Sequence, residues 1–447
     1  LLYYVLSELG ADVEWYIPSR LQDGYGLSRY GIDKLRQKGV NLIVTVDCGV
    51  SDIDQIDYAT SIGLDCIITD HHELPPKLPS AYALVNSKTE GSPEGTGQLA
   101  GVGMAFKLAQ SLYLHLGMDA KEVYKHLDLV ALGTAADIVP LTGENRILMK
   151  HGLKQLAKSR KAGLRLLLDS CGLSGSELTT SDIVFKLAPR LNSPGRVGSA
   201  FASCKLLTTY NYSLASKLVK YLERENKRRR KMDEQVLLMA EEKLAKLPSD
   251  KWRKVIVLDD PGWHIGIIGI VAARLVDKYY KPTILINSEG NVCKGSARSV
   301  PGFHILDAIR NCRDSLIGYG GHKHAAGLTI KKAEIERFRK LFAEYAEKYL
   351  PEKLLMPTLY IDGYLDSKEL SIKLLKWIKH LAPYGPENMR PVFLINEAPI
   401  IGEPRLVGDN HLLFKVMGNK RAFDVIGFGF GEKITKIRAR RSANLAC

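Results

Sequence analysis

The apolar positions of this chain change rhythm along its length. Residues 41–47 (NLIVTVD) and 64–70 (LDCIITD) are near-continuous apolar runs of strand length, each closed by an aspartate. Such runs predict strands buried on both faces. Residues 51–63, between them, carry a helical pattern, and a further helical pattern opens the chain at 1–10. Strand, helix, strand predicts a parallel sheet with helices on its faces. Open parallel sheets bind ligands beyond the carboxyl ends of their strands. Asp47 and Asp70 are therefore predicted at the functional edge, with Asp137, after the apolar run 127–136 (LDLVALGTAA), as a third strand-end candidate.

Residues 91–97 (GSPEGTG) and 191–198 (LNSPGRVG) read as loops marked by glycine and proline. From 205 to 247 there is no Pro or Gly and charge is dense, including RENKRRRK at 224–231. This stretch predicts one long or two shorter linking helices. Its charge run fits either a solvated helix face or the wall of a nucleic-acid channel. A second α/β unit begins at 255–258 (VIVL), with a helical pattern over 267–280, a strand at 283–286 and a Gly-rich segment at 318–327. Residues 351–357 mark a boundary. The β-like runs 391–395, 412–416 and 423–428 after it predict a small β-barrel, a frequent single-strand binder.

Composition narrows the function classes. The chain has 447 residues, 45% of them hydrophobic, enough for two to four domains. No stretch approaches the roughly 20 apolar residues needed to span a bilayer. Seven scattered cysteines, odd in number and without a CxxC pair, argue against a disulfide framework and a structural zinc site. A reducing cytoplasm is the expected compartment. The net charge of +14 points to a polyanionic partner. The chain starts with Leu1 and shows no signal peptide, and it reads as a fragment whose upstream segment is missing.

Asp47, Asp70, His71, His72 and Asp137 are predicted to gather at the acidic edge. Carboxylates with imidazole suit Mn²⁺ or Mg²⁺. Two such ions a few Å apart can clamp an in-line phosphoryl displacement, which hydrolyses a phosphodiester without a covalent enzyme intermediate. A lone aspartate at a strand end is more often a helix N-cap, and Asp-His-His alone also fits a structural turn. In Gly320-Gly321-His322-Lys323-His324-Ala325-Ala326-Gly327, glycines allow close backbone approach to a phosphate and His322 can donate to it. The alternative is a Gly-rich turn before a strand. Ser296-Ala297-Arg298-Ser299, after the strand-like run 292–295, offers a hydroxyl and a forked guanidinium for a terminal phosphate. Arg196 and Arg20 are similar candidates, each readable alone as a surface arginine. Glu73, His264 and His304 read as structural, and Tyr25 as a packed loop residue.

Taken in order, these segments resemble the DHH phosphoesterase superfamily, and within it the bacterial RecJ exonucleases. Val46-Asp47-Cys48-Gly49 is similar to the second family motif and Thr69-Asp70-His71-His72-Glu73 to the third. Gly133-Thr134-Ala135-Ala136-Asp137 with Val139-Pro140-Leu141 is similar to the fourth. Asn192-Ser193-Pro194-Gly195-Arg196 resembles the motif written NAxGR. Ser296-Ala297-Arg298 and residues 320–327 resemble signatures of the DHH-associated domain. His380-Leu381-Ala382-Pro383-Tyr384-Gly385 resembles the start of the oligonucleotide-binding region, although Pro386-Glu387-Asn388-Met389 stands where Gly-x-Gly-Asn-Pro is usual. The family's first motif, an Asp-x-Asp pair, is expected about half a dozen residues before Leu1. The end, 438–447 (RARRSANLAC), does not resemble a continuing strand and reads as cut short.

The resemblance implies an α/β fold of two α/β domains joined by a long helix, plus a C-terminal β-rich, OB-like domain. Expected boundaries are 1–200 for an N-terminally truncated DHH domain, 201–250 for the helical linker, 251–350 for the DHH-associated domain and 351–447 for the OB-like region. It implies that Asp47 bridges two metal ions, Mn²⁺ or Mg²⁺, and that His71 and Asp137 bind one of them. Asp70 supports the site and His72 faces the scissile phosphate, the two forming the catalytic pair. Arg196, Gly320, Gly321 and His322 hold substrate phosphates, while Arg20, Ser296 and Arg298 capture the 5′ phosphate. The implied activity is 5′→3′ degradation of single-stranded DNA to 5′-mononucleotides in DNA repair and recombination. Single-stranded DNA is the implied partner, with a single-strand binding protein or a helicase beside it and no membrane. The alternatives are a phosphodiesterase of short oligonucleotides or cyclic dinucleotides, and a non-catalytic DNA-binding relative.

Overall fold

The protein is described here from a computed structural model, which describes residues 1–18, 26–93, 96–248, 252–408, 410–418 and 421–447. In chain order, α1 (Leu2–Glu8), α2 (Arg29–Gln37), β1 (Leu42–Val46), α3 (Ile53–Ser61), β2 (Asp65–Asp70) and β3 (Ala83–Asn86) come first. The helices α4 (Gly101–His115), α5 (Leu127–Ala136), α6 (Gly143–Leu156) and α7 (Ala162–Ser170) follow. A short α8 (Thr180–Asp182) runs through a π-helical stretch, Ile183–Leu187, into α9 (Ala188–Val197), and α10 (Phe201–Thr208) leads to α11 (Tyr212–Lys246). Next are β4 (Ile256–Asp260), α12 (Ile265–Tyr279), β5 (Thr283–Asn287), β6 (Val292–Arg298), α13 (Ile305–Asn311), β7 (Leu316–Gly321), β8 (Ala325–Lys331) and α14 (Ile335–Tyr349). The last elements are β9 (Gly363–Tyr364), α15 (Ile372–His380), β10 (Phe393–Val407), β11 (His411–Met417), β12 (Ala422–Gly427), α16 (Ile434–Arg438) and β13 (Ser442–Ala446). Packing divides them into two units: Leu1–Asn86 with Ala157–Ser176 and Ser181–Thr358, and Ser87–Leu156 with Glu177–Thr180 and Leu359–Cys447.

The first unit holds two sheets. One is parallel, in the order β1-β2-β3, with Val46 opposite Thr69 and Asp70 opposite Asn86. Ile43, Cys66 and Ile68 bury against Ile32 of α2 and Ile56 and Ala59 of α3. The second sheet has the order β4-β5-β6-β8-β7, with β4 and β5 parallel and the remaining pairs antiparallel. Strand β5 is buried at every position. Its side chains alternate between faces. Ile284 and Ile286 meet Phe338 and Phe342 of α14, while Leu285 meets Val271 and Leu275 of α12 and Ala240 and Leu244 of α11.

Helix α11 has 35 residues and is about 52 Å long at 1.5 Å per residue. Ala215, Val219, Leu222, Val236, Ala240 and Leu244 form its buried stripe. The stripe is broken in the middle by buried Glu225, Asn226 and Asp233. Arg229 donates to the Asn226 side chain at 3.2 Å, and Arg274 of α12 pairs with Asp233 at 3.2 Å. The charge run is thus split, with Arg229 turned inward and Arg224, Lys227, Arg228, Arg230 and Lys231 exposed.

The second unit joins α4, α5 and α6 to a β-rich region in the order β12-β11-β10-β13, with β9 added beside β10. Ile395, Ala398, Leu412, Phe414 and Val416 form its core. The backbone N–H of Leu141 donates to Pro386 at 2.8 Å and Arg146 donates to the Leu381 carbonyl at 2.9 Å, tying the two parts of this unit together. Among the described residues, no helix is long and apolar enough to cross a membrane.

Four local expectations are corrected. Within 438–447, which did not read as a strand, Ser442–Ala446 form β13 and pair antiparallel with β10. The run 127–136 is helix α5, so Asp137 is its C-cap and does not sit at a strand end. Eight of its ten residues are buried, and a helix packed nearly all round loses the polar stripe that would reveal its period. The 191–198 segment is not a loop, because residues through Val197 belong to α9, with Pro194 inside the helix. Proline removes the N–H that would reach the Arg190 carbonyl. The Ser193 hydroxyl donates to that carbonyl at 2.9 Å instead. Ser296, Ala297 and Arg298 lie within β6 and do not follow it.

Candidate metal centre

The turn after β1 is held from several sides. The Thr45 hydroxyl donates to the Cys48 carbonyl at 2.7 Å, and the Thr69 hydroxyl donates to the Thr45 carbonyl at 2.5 Å. The Asp47 N–H donates to the Thr69 carbonyl at 2.9 Å. These bonds hold Asp47 at φ 63°, in the left-handed region. Aspartate is among the non-glycine residues that enter this region. Gly49, at φ 112°, completes the turn, and a Cβ there would lie 2.7 Å from the Thr45 hydroxyl.

Asp70, at the end of β2, is 1% exposed. Its Oδ2 accepts from the Val50 N–H at 3.1 Å. Its Oδ1 accepts from the N–H groups of His71 at 2.8 Å and His72 at 3.2 Å, and lies 2.7 Å from His72 Nδ1. Burial alone would raise the Asp70 pKa, but bonds from the His72 ring and the backbone of Val50, His72 and His71 outweigh it and hold the carboxyl below its ordinary value. The ionised carboxylate fixes Nδ1 of His72 as the protonated nitrogen and turns Nε2 outward as an acceptor. Asp70 therefore acts by positioning its neighbours.

His71 Nε2 lies 2.9 Å from Asp47 Oδ1. Asp47, His71 and His72 each offer one ligand atom, and all three atoms lie within 4.8 Å of one another. One carboxylate oxygen and two imidazole nitrogens that close form a donor set suited to a divalent first-row ion. Cys48 is no part of it as a nucleophile: burial, with the carboxylates of Asp52, Asp70 and Asp47, pushes its thiol up to about 12.

Among other groups of the first unit, His322 is close enough to His72 to feel its charge. The His322 pKa is lowered first by burial, then by the charges of His324, Arg298, His72 and His304. The His324 N–H donates to His322 Nδ1 at 3.3 Å, leaving His322 Nε2 as the N–H donor. Gly321 has φ 140°, and a Cβ would meet the Ala325 carbonyl at 2.3 Å, so this turn requires glycine. Gly320 has no neighbour within 4 Å of a Cβ position and carries no such requirement. Arg298 donates to the Ser296 hydroxyl at 3.2 Å, so these two candidates meet on β6. Both lie over Gly269 of α12, where a Cβ would be 2.8 Å from the Ser296 hydroxyl and 3.1 Å from the Arg298 guanidinium. Arg196 lies in the last turn of α9, against the start of α12, its carbonyl 1.9 Å from where a Gly266 Cβ would stand. Asp137 belongs to the second unit, and Arg20 and Tyr25 lie outside the described residues.

His264 and His304 cap helices: Nδ1 accepts from the Gly266 N–H at 3.0 Å and from the Asp307 N–H at 3.3 Å, respectively. Sequence reasoning missed two supporting residues. Buried Asn86 donates to the His72 carbonyl at 3.1 Å, and Asp52 accepts from the Leu27 N–H at 2.8 Å. The only sequence signal for Asn86 is a polar residue closing a third short apolar run.

Residues 1–134 match the DHH family N-terminal domain, 253–348 the DHHA1 domain and 361–447 the RecJ OB domain. The chain is 35% identical to the single-stranded-DNA-specific exonuclease RecJ of Bacillus subtilis, over 96% of this chain and 54% of that protein. It is 33% identical to the protein of the same name from Salmonella typhimurium, over 95% of this chain and 76% of that one. The crystal structure of RecJ from Thermus thermophilus in complex with Mn²⁺ superposes with a TM-score of 0.83 at 30% identity, over 100% of this chain and 62% of that chain. The chain thus spans about half the length of the Bacillus relative and three quarters of the Salmonella one.

Proposed function

The chain belongs to the RecJ family of the DHH superfamily, and we propose that it serves hydrolysis of single-stranded DNA from the 5′ end, releasing 5′-mononucleotides with Mn²⁺ or Mg²⁺ as cofactor. The observation that carries this reading is the convergence of Asp47, His71 and His72 on one point, with buried Asp70 orienting the last of them. Asp47, His71 and His72 would hold a divalent ion, which would supply Lewis-acid activation of the phosphodiester and of the attacking water. Water forms the new bond to phosphorus, the bond to the 3′ oxygen of the terminal nucleotide breaks, and that oxygen takes a proton. The shortened strand keeps a new 5′ phosphate.

The remaining residues bind and orient. His322 donates from Nε2 to a phosphate oxygen, and Arg196 neutralises a second phosphate. Ser296 and Arg298, already bonded to each other, receive the 5′ phosphate with Arg20. Capture of a terminal phosphate places the scissile bond one nucleotide inward, which supports mononucleotides as products. A single-strand binding protein or helicase would present the strand.

The test incubates the protein with Mn²⁺ and single strands labelled at the 5′ end. The expected product is labelled mononucleotide from the earliest times, abolished by Asp47→Ala. Release of internal fragments first, or equal turnover of blunt duplex, would contradict the proposal.

A further inference from the structure

Helix α15 carries a basic and aromatic face that the proposed chemistry leaves unused. Its sequence, IKLLKWIKH, contains three lysines and one histidine and no acid. At 3.6 residues per turn, Lys373, Lys376, Lys379 and His380 share one side, bordered by Ile372 and Trp377. None of its residues is buried. Trp377 is 64% exposed and Ile372 60%. Among the described residues, the three lysines form no ion pair with an acid.

The helix is firmly held. The Ser371 hydroxyl caps its start, accepting from the Leu374 N–H at 3.2 Å. At its end the Tyr384 hydroxyl donates to the Ile378 carbonyl. Asn388 and Arg146 both donate to the Leu381 carbonyl, at 3.1 and 2.9 Å. The Trp377 ring is set beside His380, with centroids 5.8 Å apart. The face is therefore presented in a fixed orientation.

We propose that Lys373, Lys376 and Lys379, with Trp377 at their edge, form a docking face for a single nucleic-acid strand. The proposal rests on the single-strand reading above and adds a contact outside the metal centre and outside the strands of the β-rich region. Lysines three residues apart advance about 4.5 Å each, so the row spans about 9 Å, matching two or three successive phosphates. An indole beside such a row offers a stacking surface for an unpaired base. A duplex keeps its bases stacked inside and gives Trp377 nothing to stack on. A membrane surface fits less well, since insertion needs a continuous apolar face. Leu374 and Ile378 on the opposite side are half-buried against the protein itself.

The test titrates the full chain with labelled oligo(dT) in the presence of a chelator, which keeps the strand intact, and follows anisotropy and tryptophan emission. Of the four tryptophans, Trp263 is buried and Trp15 and Trp252 are half-buried, so Trp377 should dominate any quenching. Wild-type emission should fall on binding, and W377F should lose most of that change. The triple variant K373Q/K376Q/K379Q should bind several-fold more weakly, with its slope of log affinity against log salt shallower by about 2, at ~0.7 per phosphate contact. Strand binding by the wild type with quench and slope unchanged in these variants overturns the docking face and leaves the functional reading standing. Stronger affinity of this face for anionic vesicles or an acidic peptide than for the strand overturns it equally. A wild type that binds no strand sinks the functional reading and this face together.

Discussion

Asp47 and Asp70 divide the labour of the acidic edge by their surroundings. Asp47 is exposed and held at φ 63°, a conformation that costs a non-glycine residue roughly 1–3 kcal/mol and persists only where neighbours impose it. Asp70 is buried, and its oxygens are spent on Val50, His71 and His72. Asp70→Asn should therefore leave the chain folded but weaken Mn²⁺ binding by roughly 10–100-fold, the usual effect of losing a group that orients a ligand. Electron paramagnetic titration of free Mn²⁺ measures this, and unchanged affinity would remove Asp70 from the site. A carboxylate away from the centre tests the same electrostatics through stability. Burial would raise the Asp260 pKa, but Lys243, at 2.8 Å, and the Gly262 N–H, at 2.8 Å, hold it below its ordinary value. A native value below the unfolded value of about 3.9 adds stability above that pH, and the gain is lost as pH falls through the native value. Asp260→Asn should lower the melting temperature at neutral pH and flatten its dependence on pH below about 4. Parallel melting curves for the two proteins would contradict this. Asp70-His71-His72 was legible because its three groups are adjacent in sequence. Asn86 was not, because the pairing of β2 with β3 alone brings it to His72.

Two glycines set how closely elements approach around the site. Gly49 combines a positive φ with a neighbour inside van der Waals contact, so Gly49→Ala should cost about 1–3 kcal/mol and weaken metal binding as the Asp47 turn shifts. Gly266→Ala places a methyl against the Arg196 carbonyl, which must push α9 from α12. It should destabilise by a similar ~1–3 kcal/mol, as overpacking does. Denaturant titration gives both values, and a change under ~0.5 kcal/mol in either would show that the contact relaxes freely. The strands β1, β2, β4 and β5 were legible from their apolar runs, α3 and α12 from their helical patterns, and α11 from a long charged stretch without Pro or Gly. The misread elements share one cause, since each hides its polar groups inside tertiary structure. Helix α5 is buried nearly all round, so its period vanished. Helix α9 keeps Pro194 because Ser193 replaces the lost hydrogen bond, a compensation that Asn-Ser-Pro-Gly does not announce.

At the scale of the molecule, the charge of +14 acquires an address. Part of it is consumed internally, as Arg229 and Arg274 are by Asp233. Other cations lie where a polyanion can reach them: Arg298 near His322, and the lysine row of α15. Binding of a strand through such groups releases counterions, and the salt dependence counts the phosphates they neutralise. Arg196, Arg298 and His322 with the three lysines give an expected count of about four to six, since His322 is neutral near pH 7 and contributes a hydrogen bond more than a charge. At ~0.7 per phosphate on a single strand, the slope of log affinity against log salt should lie between about −3 and −4. A fourfold rise in salt should then weaken binding by roughly 50- to 300-fold. Anisotropy titrations with chelator present separate this from cleavage. A slope near zero would mean that the strand is held by stacking and hydrogen bonds alone, and the surplus of lysine and arginine would need another partner.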